Sequence, residues 1–480
     1  MGSTQERRHR IVVLGGGPGG YEAALAGAQL GADVTIVERA GIGGSAVLTD
    51  VVPSKSLIAT AGAAQAVRES GKLGVQAFLP GADGKPVRPR IAVNLAAVNT
   101  RLLAMAGAQS VDMRRNLEEA GVRMVHGSGR LDGPDAVLVS TSESGGTDFD
   151  RIEADTVVIA VGASPRELDS AKPDGERILT WKQVYDLSDV PEHLIVVGSG
   201  VTGAEFANAY RTLGSEVTLV SSRERVLPGE DPDAATVIED EFKRIGMNVM
   251  SKSRAQAVER TEHGVVVTLA DGGTVEGSHC LMAVGSIPNT AGLGLEEAGI
   301  ELSESGHIKV NKVARTSFPS VYAAGDCTDF FPLASVASMQ GRTAIMHALG
   351  DFVRPIDLRN VAANVFTYPE IATVGWNART LAEASDVAKA VTHTIPLNTN
   401  PRAKMIGLTE GFVKLFAWEA SRTVIGGVIV AHRASELIFP LALAVEHRLT
   451  VDQVASAFTV YPSLTGAITD AARAMHQSAL

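Results

Sequence analysis

One unit occurs twice in this chain: an apolar strand, a glycine turn, a helix and a second apolar strand. In the first copy Ile11-Val12-Val13-Leu14 is a continuous apolar run, as expected of a strand buried on both faces of a parallel sheet. Gly15-Gly16-Gly17-Pro18-Gly19-Gly20 follows, then an Ala- and Leu-rich helix expected over 21–30, Gly31 as its stop, and the strand Val34-Thr35-Ile36-Val37-Glu38. Gly15, Gly17 and Gly20 make the GxGxxG fingerprint of a dinucleotide fold. The glycines permit a tight turn, close approach of a pyrophosphate and close packing of helix on strand, and the helix N-terminus offers backbone N–H groups to the phosphates. Glu38 lies 23 residues after Gly15, where an acid can hold ribose hydroxyls.

The second copy begins at Leu194-Ile195-Val196-Val197 and passes through Gly198-Ser199-Gly200-Val201-Thr202-Gly203, a helix ending at Leu213 and the strand Val217-Thr218-Leu219-Val220. The acid position is here Ser221. A serine does not repel a 2′-phosphate, and Ser222, Arg223 and Arg225 lie nearby to hydrogen-bond one, so this site is expected to accept NADPH as well as NADH. Each copy has a later echo: Thr156-Val157-Val158-Ile159-Ala160-Val161-Gly162-Ala163-Ser164-Pro165 matches Leu281-Met282-Ala283-Val284-Gly285-Ser286-Ile287-Pro288. Val161, Gly162, Ala163 and Gly285 are therefore expected at the cofactors. Two dinucleotide folds, the second inserted into the first, suit hydride transfer between nucleotides.

Composition excludes several alternatives. The 480 residues carry 43 basic and 54 acidic side chains, a net charge of −11, which leaves no domain-wide cationic face for nucleic acid. Two cysteines, Cys280 and Cys327, give neither a disulfide scaffold nor a Cys-based zinc site, and they suit a reducing cytoplasm. The polar start, Met1 to Arg10, has no signal-peptide core. The longest apolar stretches, such as 437–445, fall short of the ~20 residues that cross a bilayer.

Together these segments resemble the two-dinucleotide flavoprotein family of dihydrolipoamide dehydrogenase and glutathione reductase. Further motifs carry the resemblance along the chain. Val321-Tyr322-Ala323-Ala324-Gly325-Asp326 is similar to the second flavin motif, which implies that Asp326 accepts hydrogen bonds from the ribityl chain and that Leu333 and Ala334 lie beside the flavin ring. Gly129 matches the position that contacts the adenine. Phe366-Thr367-Tyr368-Pro369-Glu370, Asn400-Pro401-Arg402-Ala403-Lys404 and Glu410-Gly411-Phe412-Val413-Lys414 resemble the dimerisation domain. The implied fold is α/β: two Rossmann-like domains, for FAD and NAD(P), plus a C-terminal α+β dimerisation domain. The implied division is 1–165 and 290–353 for FAD, 166–289 for NAD(P) and 354–480 for the homodimer interface.

Gly43-Gly44-Ser45-Ala46-Val47-Leu48-Thr49-Asp50-Val51-Val52-Pro53-Ser54-Lys55 resembles the stretch that carries the family's redox disulfide, with Gly44, Ser45 and Lys55 expected at the flavin. The two cysteines of that stretch are here Ala46 and Val51, which cannot relay an electron pair. The family's His-Pro-Thr-Leu-Ser-Glu motif is here Tyr461-Pro462-Ser463-Leu464-Thr465-Gly466. A phenol is a poor proton acceptor at neutral pH, whereas imidazole is well matched, and Gly466 cannot orient a base. Lys55 and Glu205, the family's ion pair beside flavin N5, are retained, and a cation there favours reduced flavin. The disulfide half-reaction is thus expected to be absent and the nicotinamide half-reaction intact. The expected activity is NAD(P)H:quinone oxidoreduction, with a flat acceptor in an apolar pocket of Ala46, Val47 and Val51 and with Tyr461 supplied by the partner subunit. Alternatives are a soluble pyridine nucleotide transhydrogenase and a flavin-bound scaffold without catalysis.

Overall fold

The computed structural model describes residues 7–78, 86–87, 91–141, 149–385 and 387–476. The segment 1–6, within the polar start considered above, lies outside them. Packing divides the chain into two compact units, Met1–Ser54 with Thr100–Arg166 and Gly285–Leu358, and Lys55–Asn99 with Glu167–Val284 and Arg359–Leu480.

In the first unit Val321–Ala323, Thr156–Ile159, Arg10–Leu14, Asp33–Glu38 and Arg123–His126 form, in that order, one parallel five-stranded sheet. The apolar runs are buried on both faces: Ile11, Val13, Ile36 and Val158 belong to one core cluster, and Val12, Leu14, Val37 and Val157 to another. The helix begins at Pro18 and ends at Gln29, three residues earlier at its start than the sequence pattern suggests, because Pro18 occupies the first helical turn and draws Gly19 and Gly20 into the helix. The two echo segments meet, with Ala163–Pro165 pairing antiparallel with Ser286–Pro288.

The second unit holds a second parallel sheet in the order Ile178–Leu179, His279–Met282, His193–Val197, Glu216–Val220 and Asn248–Met250. It also holds an antiparallel sheet in the order Ala362–Val365, Glu370–Gly375, Val424–Ala431, Phe412–Trp418 and Ala390–Pro396. Helices Phe439–Glu446 and Gly466–Ala474 bury apolar residues against that sheet. No helix among the described residues is long and apolar enough to cross a membrane.

Candidate active site

Both glycine turns are shaped by contact. A Cβ on Gly20 would come within 1.9 Å of the Gly15 carbonyl oxygen, and one on Gly203 within 1.8 Å of that of Gly198, so each helix rests on its own turn at a distance only glycine allows. A Cβ on Gly17 or Gly200 would meet nothing within 4 Å. Open space therefore lies at the start of the helices Pro18–Gln29 and Val201–Leu213, where backbone N–H groups face outward.

In the first unit Glu38 folds back on its own loop. Its carboxylate accepts from Gly16 N–H at 2.6 Å, Ala40 N–H at 2.6 Å and Gly41 N–H at 3.3 Å. Gly43 N–H donates to the Gly16 carbonyl at 2.7 Å, and a Cβ on Gly44 would stand 2.8 Å from the Gly17 Cα, so the Gly43-Gly44 pair lies directly on the first glycine turn. Ser45 is exposed and its hydroxyl meets that of Thr49 at 3.1 Å. Ala46 and Val51 are half-buried, while Val47 is buried. Gly129 packs on the first strand, where a Cβ would come within 2.6 Å of the Leu14 side chain.

The turn Val161-Gly162-Ala163 is held by Asn289, which donates from its side chain to the Val161 carbonyl at 3.0 Å and from its backbone to that of Gly162 at 3.0 Å. Gln340, fully buried, accepts from Gly325 N–H at 2.8 Å and so fixes the turn that presents Asp326. Burial pushes the Asp326 carboxyl above the usual carboxylate range, and it has no hydrogen-bond partner among the described residues. Leu333 caps the helix Ala334–Ala348 without a side-chain bond. Neither Asn289 nor Gln340 belongs to a glycine motif, although Asn289 directly follows the second echo.

In the second unit Lys55 Nζ donates to Glu205 Oε2 at 2.7 Å, and Phe366 N–H donates to Glu205 Oε1 at 2.9 Å. Glu205 is 3% exposed, so its charge is compensated by these two donors in a site of low dielectric. Val51 and Lys55 are one turn apart on the helix Val51–Glu69, so the lost-cysteine position and the retained lysine share a helix face.

Ser221 is fully buried, and its hydroxyl meets that of Ser199 at 2.7 Å and accepts from Arg223 N–H at 3.1 Å. It contributes an uncharged position that shapes the loop. Ser222 and Arg223 are exposed, and the Arg223 guanidinium has no partner among the described residues. Arg225 is turned away, donating to the Pro232 carbonyl at 3.2 Å and to Thr236 Oγ1 at 3.3 Å. Gly285, in the first unit, accepts from Arg166 N–H at 2.9 Å.

Tyr461 is 82% exposed, and its sequence neighbours Phe458 and Val460 are exposed as well. The loop behind it is ordered by Asn400, which donates to the Ser463 carbonyl at 3.1 Å, and by Gly466 N–H, which donates to Ser463 Oγ at 3.1 Å. Cys280 and Cys327 are both fully buried, and burial pushes both thiols up, that of Cys327 to about 11. Both are small core residues rather than nucleophiles.

Residues 9–341 match the pyridine nucleotide-disulphide oxidoreductase family, and residues 361–472 match its dimerisation domain. The chain belongs to that family. It is 51% identical over 472 residues to an NAD(P)H dehydrogenase (quinone) of Mycobacterium tuberculosis, covering 97% of this chain and 93% of that protein. It is 33% identical to dihydrolipoyl dehydrogenase 2 of Haloarcula marismortui, covering 98% and 97% of the two chains. The crystal structure of LpdA from Mycobacterium tuberculosis superposes with a TM-score of 0.90 at 49% identity, covering 98% of this chain and all of that one.

This oxidoreductase family uses FAD, with NAD(P)H as electron donor. The residues present fit both groups. The open space at Gly17 and at Gly200 suits a pyrophosphate, and an unpartnered, half-buried Asp326 suits the hydroxyl donors of a ribityl chain.

Proposed function

We propose that this chain is an FAD-dependent NAD(P)H:quinone oxidoreductase that passes electrons from flavin directly to its acceptor. The observation that carries the reading is the joint replacement of four reactive positions in the sequence, by Ala46, Val51, Tyr461 and Gly466, in a chain that keeps the Lys55–Glu205 pair at 2.7 Å. FAD, when bound, would supply the two-electron redox chemistry that links NAD(P)H to the acceptor. Lys55 places a positive charge at the flavin, and Glu205 holds that lysine by a buried, charge-assisted bond. Ala46 and Val51 offer an apolar, half-buried surface without a thiol, which favours a flat apolar molecule over a disulfide. Tyr461, exposed on each chain, stacks on that acceptor or donates to its carbonyl across the homodimer. The full-length similarity to an NAD(P)H dehydrogenase (quinone) supports the acceptor class. The cytoplasm is the proposed location, because two buried free cysteines suit a reducing compartment.

Arg223 favours acceptance of NADPH alongside NADH, because an exposed guanidinium without a partner is free to pair a 2′-phosphate. A protein that accepts both nucleotides also has the requirement of a transhydrogenase, and one experiment separates the readings. The protein is reduced anaerobically by NADH or NADPH and then mixed with menadione, benzoquinone, lipoamide or thio-NADP⁺. Fast reoxidation by the quinones and none by lipoamide is expected. Fast reoxidation by thio-NADP⁺ with slow quinone turnover would favour transhydrogenation. Flavin that stays oxidised with either nucleotide would leave only a scaffold.

A further inference from the structure

The segment Phe366-Thr367-Tyr368 belongs to no glycine turn and no redox motif, yet it engages the Lys55–Glu205 pair. Phe366 N–H donates to Glu205 Oε1 at 2.9 Å, and the Phe366 ring centroid lies 5.0 Å from Lys55 Nζ. Three residues after Glu205, Asn208 Oδ1 accepts from Tyr368 N–H at 2.9 Å. Residues at i and i+3 share a helix face, so one face of Val201–Leu213 grips the segment at two N–H groups two residues apart. Glu205 is 3% exposed and Asn208 6% exposed, so water is poorly placed to replace either bond.

A lysine ammonium sits on four flexible carbons, and its position depends on what holds its partner. Here the partner carboxylate has one mobile donor, Lys55, and one backbone donor, Phe366. The backbone donor fixes the carboxylate, and the ring lies against the ammonium. Both depend on where the segment lies, and the side-chain bond that fixes it to the helix next to Glu205 comes from Asn208.

We propose that Asn208 is a positioning residue: by holding Tyr368 it keeps Phe366 on Glu205 and so fixes the Lys55 charge. The inference rests on the reading that Lys55 acts at the flavin. A charge that wanders stabilises developing negative charge less than a preorganised one. Loss of Asn208 therefore weakens the effect of Lys55 without removing it.

The test uses the FAD-loaded protein and two readouts, the midpoint potential of the flavin and the rate of its reduction by NADPH in stopped flow. Lys55→Met is expected to lower the potential. Asn208→Ala is expected to lower it in the same direction by less, to slow reduction about three- to tenfold, as loss of one buried hydrogen bond implies, and to leave KM for NADPH unchanged. In the Lys55→Met background Asn208→Ala is expected to add nothing, because its route is gone. Asn208→Leu keeps the volume and removes the acceptor of Tyr368 N–H, is expected to act in the same direction, and serves if Asn208→Ala does not fold. A wild-type potential in Asn208→Ala, or in Asn208→Leu where that variant stands in, with a shifted one in Lys55→Met, overturns the positioning role alone. An undiminished effect of Asn208→Ala in the Lys55→Met background overturns it equally. An unmoved potential in Lys55→Met overturns the flavin-side reading and the proposal with it.

Discussion

Lys414 offers a sharp energetic test of how the second unit holds its nucleotide loop. It stands in the strand Phe412–Trp418, 4% exposed, and donates to Asp231 at 2.7 Å and to Asp233 at 2.6 Å. The Phe412 and Phe416 rings lie 5.5 and 5.8 Å from its ammonium. Asp231, fully buried, caps the helix Pro232–Arg244 through Asp233 N–H at 3.1 Å and accepts from Ala378 N–H at 3.3 Å. Lys414→Met keeps volume but leaves Asp231 charged on two long backbone bonds. Removing one partner of a buried pair costs about 3–5 kcal/mol. Two N–H donors remain and the Asp233 carboxylate is 70% exposed, which places the expected loss near the lower end, about 3 kcal/mol. Adding Asp231→Asn removes the stranded charge and should return about 2 kcal/mol. Trp376 and Trp418, 6.1 Å apart, make tryptophan fluorescence in urea a direct reporter of this sheet. A loss under about 1 kcal/mol in Lys414→Met, or a deeper loss on adding Asp231→Asn, would refute a buried pair at this position. Function should register the change too. Leu227, held at φ +52° four residues before Asp231, donates its N–H to the Ser199 carbonyl in the second glycine turn at 2.9 Å. KM for NADPH should therefore rise in Lys414→Met.

Other outcomes follow from single groups. Asp326→Asn removes a carboxylate whose pKa burial raises; that charge destabilises the FAD-free fold as pH rises above the unfolded carboxylate range, so the FAD-free variant should melt higher at neutral pH. The same variant should lose FAD about tenfold more readily in flavin fluorescence titration, since bonds to a charged acceptor are the stronger ones. Arg223→Ala should raise KM for NADPH about tenfold and leave KM for NADH within a factor of two, measured by steady-state menadione reduction. Asp155 is held at about 2, chiefly by its side-chain hydrogen bond from Arg10. Its contribution is present above the unfolded carboxylate pKa near 4 and is lost as pH falls through about 2, so Asp155→Asn should flatten the acid limb of a pH–stability curve. Tyr461→His alone should give no lipoamide turnover, because no dithiol exists for it to deprotonate.

The parts of the site legible in the sequence are those whose chemistry is local. A glycine turn, the strand before it and the acid after the second strand lie within one supersecondary unit, so spacing alone places Gly15, Gly20, Glu38, Gly198 and Gly203. Lys55 and Glu205 are legible only through their motif positions, since their bond spans 150 residues of sequence. The supports were not legible. Asn289 on Val161, Gln340 on Gly325, Asn208 on Tyr368 and Lys414 on Asp231 join residues by tertiary packing, and a lone polar side chain reads the same in sequence whether it is solvated or buried. Arg225 shows the converse. Its sequence position suits a phosphate, but the adjacent helix offers it the Pro232 carbonyl and Thr236.

The persistence of the frame around the missing disulfide has a cause separate from sulfur chemistry. Gly43 N–H bonds the Gly16 carbonyl at 2.7 Å, and a side chain on Gly44 would strike Gly17 at 2.8 Å. Both glycines adopt positive φ, at +99° and +55°. These residues pack on the first glycine turn, a demand that holds whether or not two cysteines follow. Gly466 is different: a Cβ there would meet only Ser463 Oγ, at an ordinary 3.7 Å, so packing at the Cβ does not forbid a longer side chain. Ala46 and Val51 are half-buried, and Tyr461 stands in the open. The four departures thus fall where the fold asks little, while the glycines packed on the nucleotide turn stay. Packing of this single chain does not explain the absence of the thiols, the base and its orienting acid. The proposed direct acceptor accounts for all four at once.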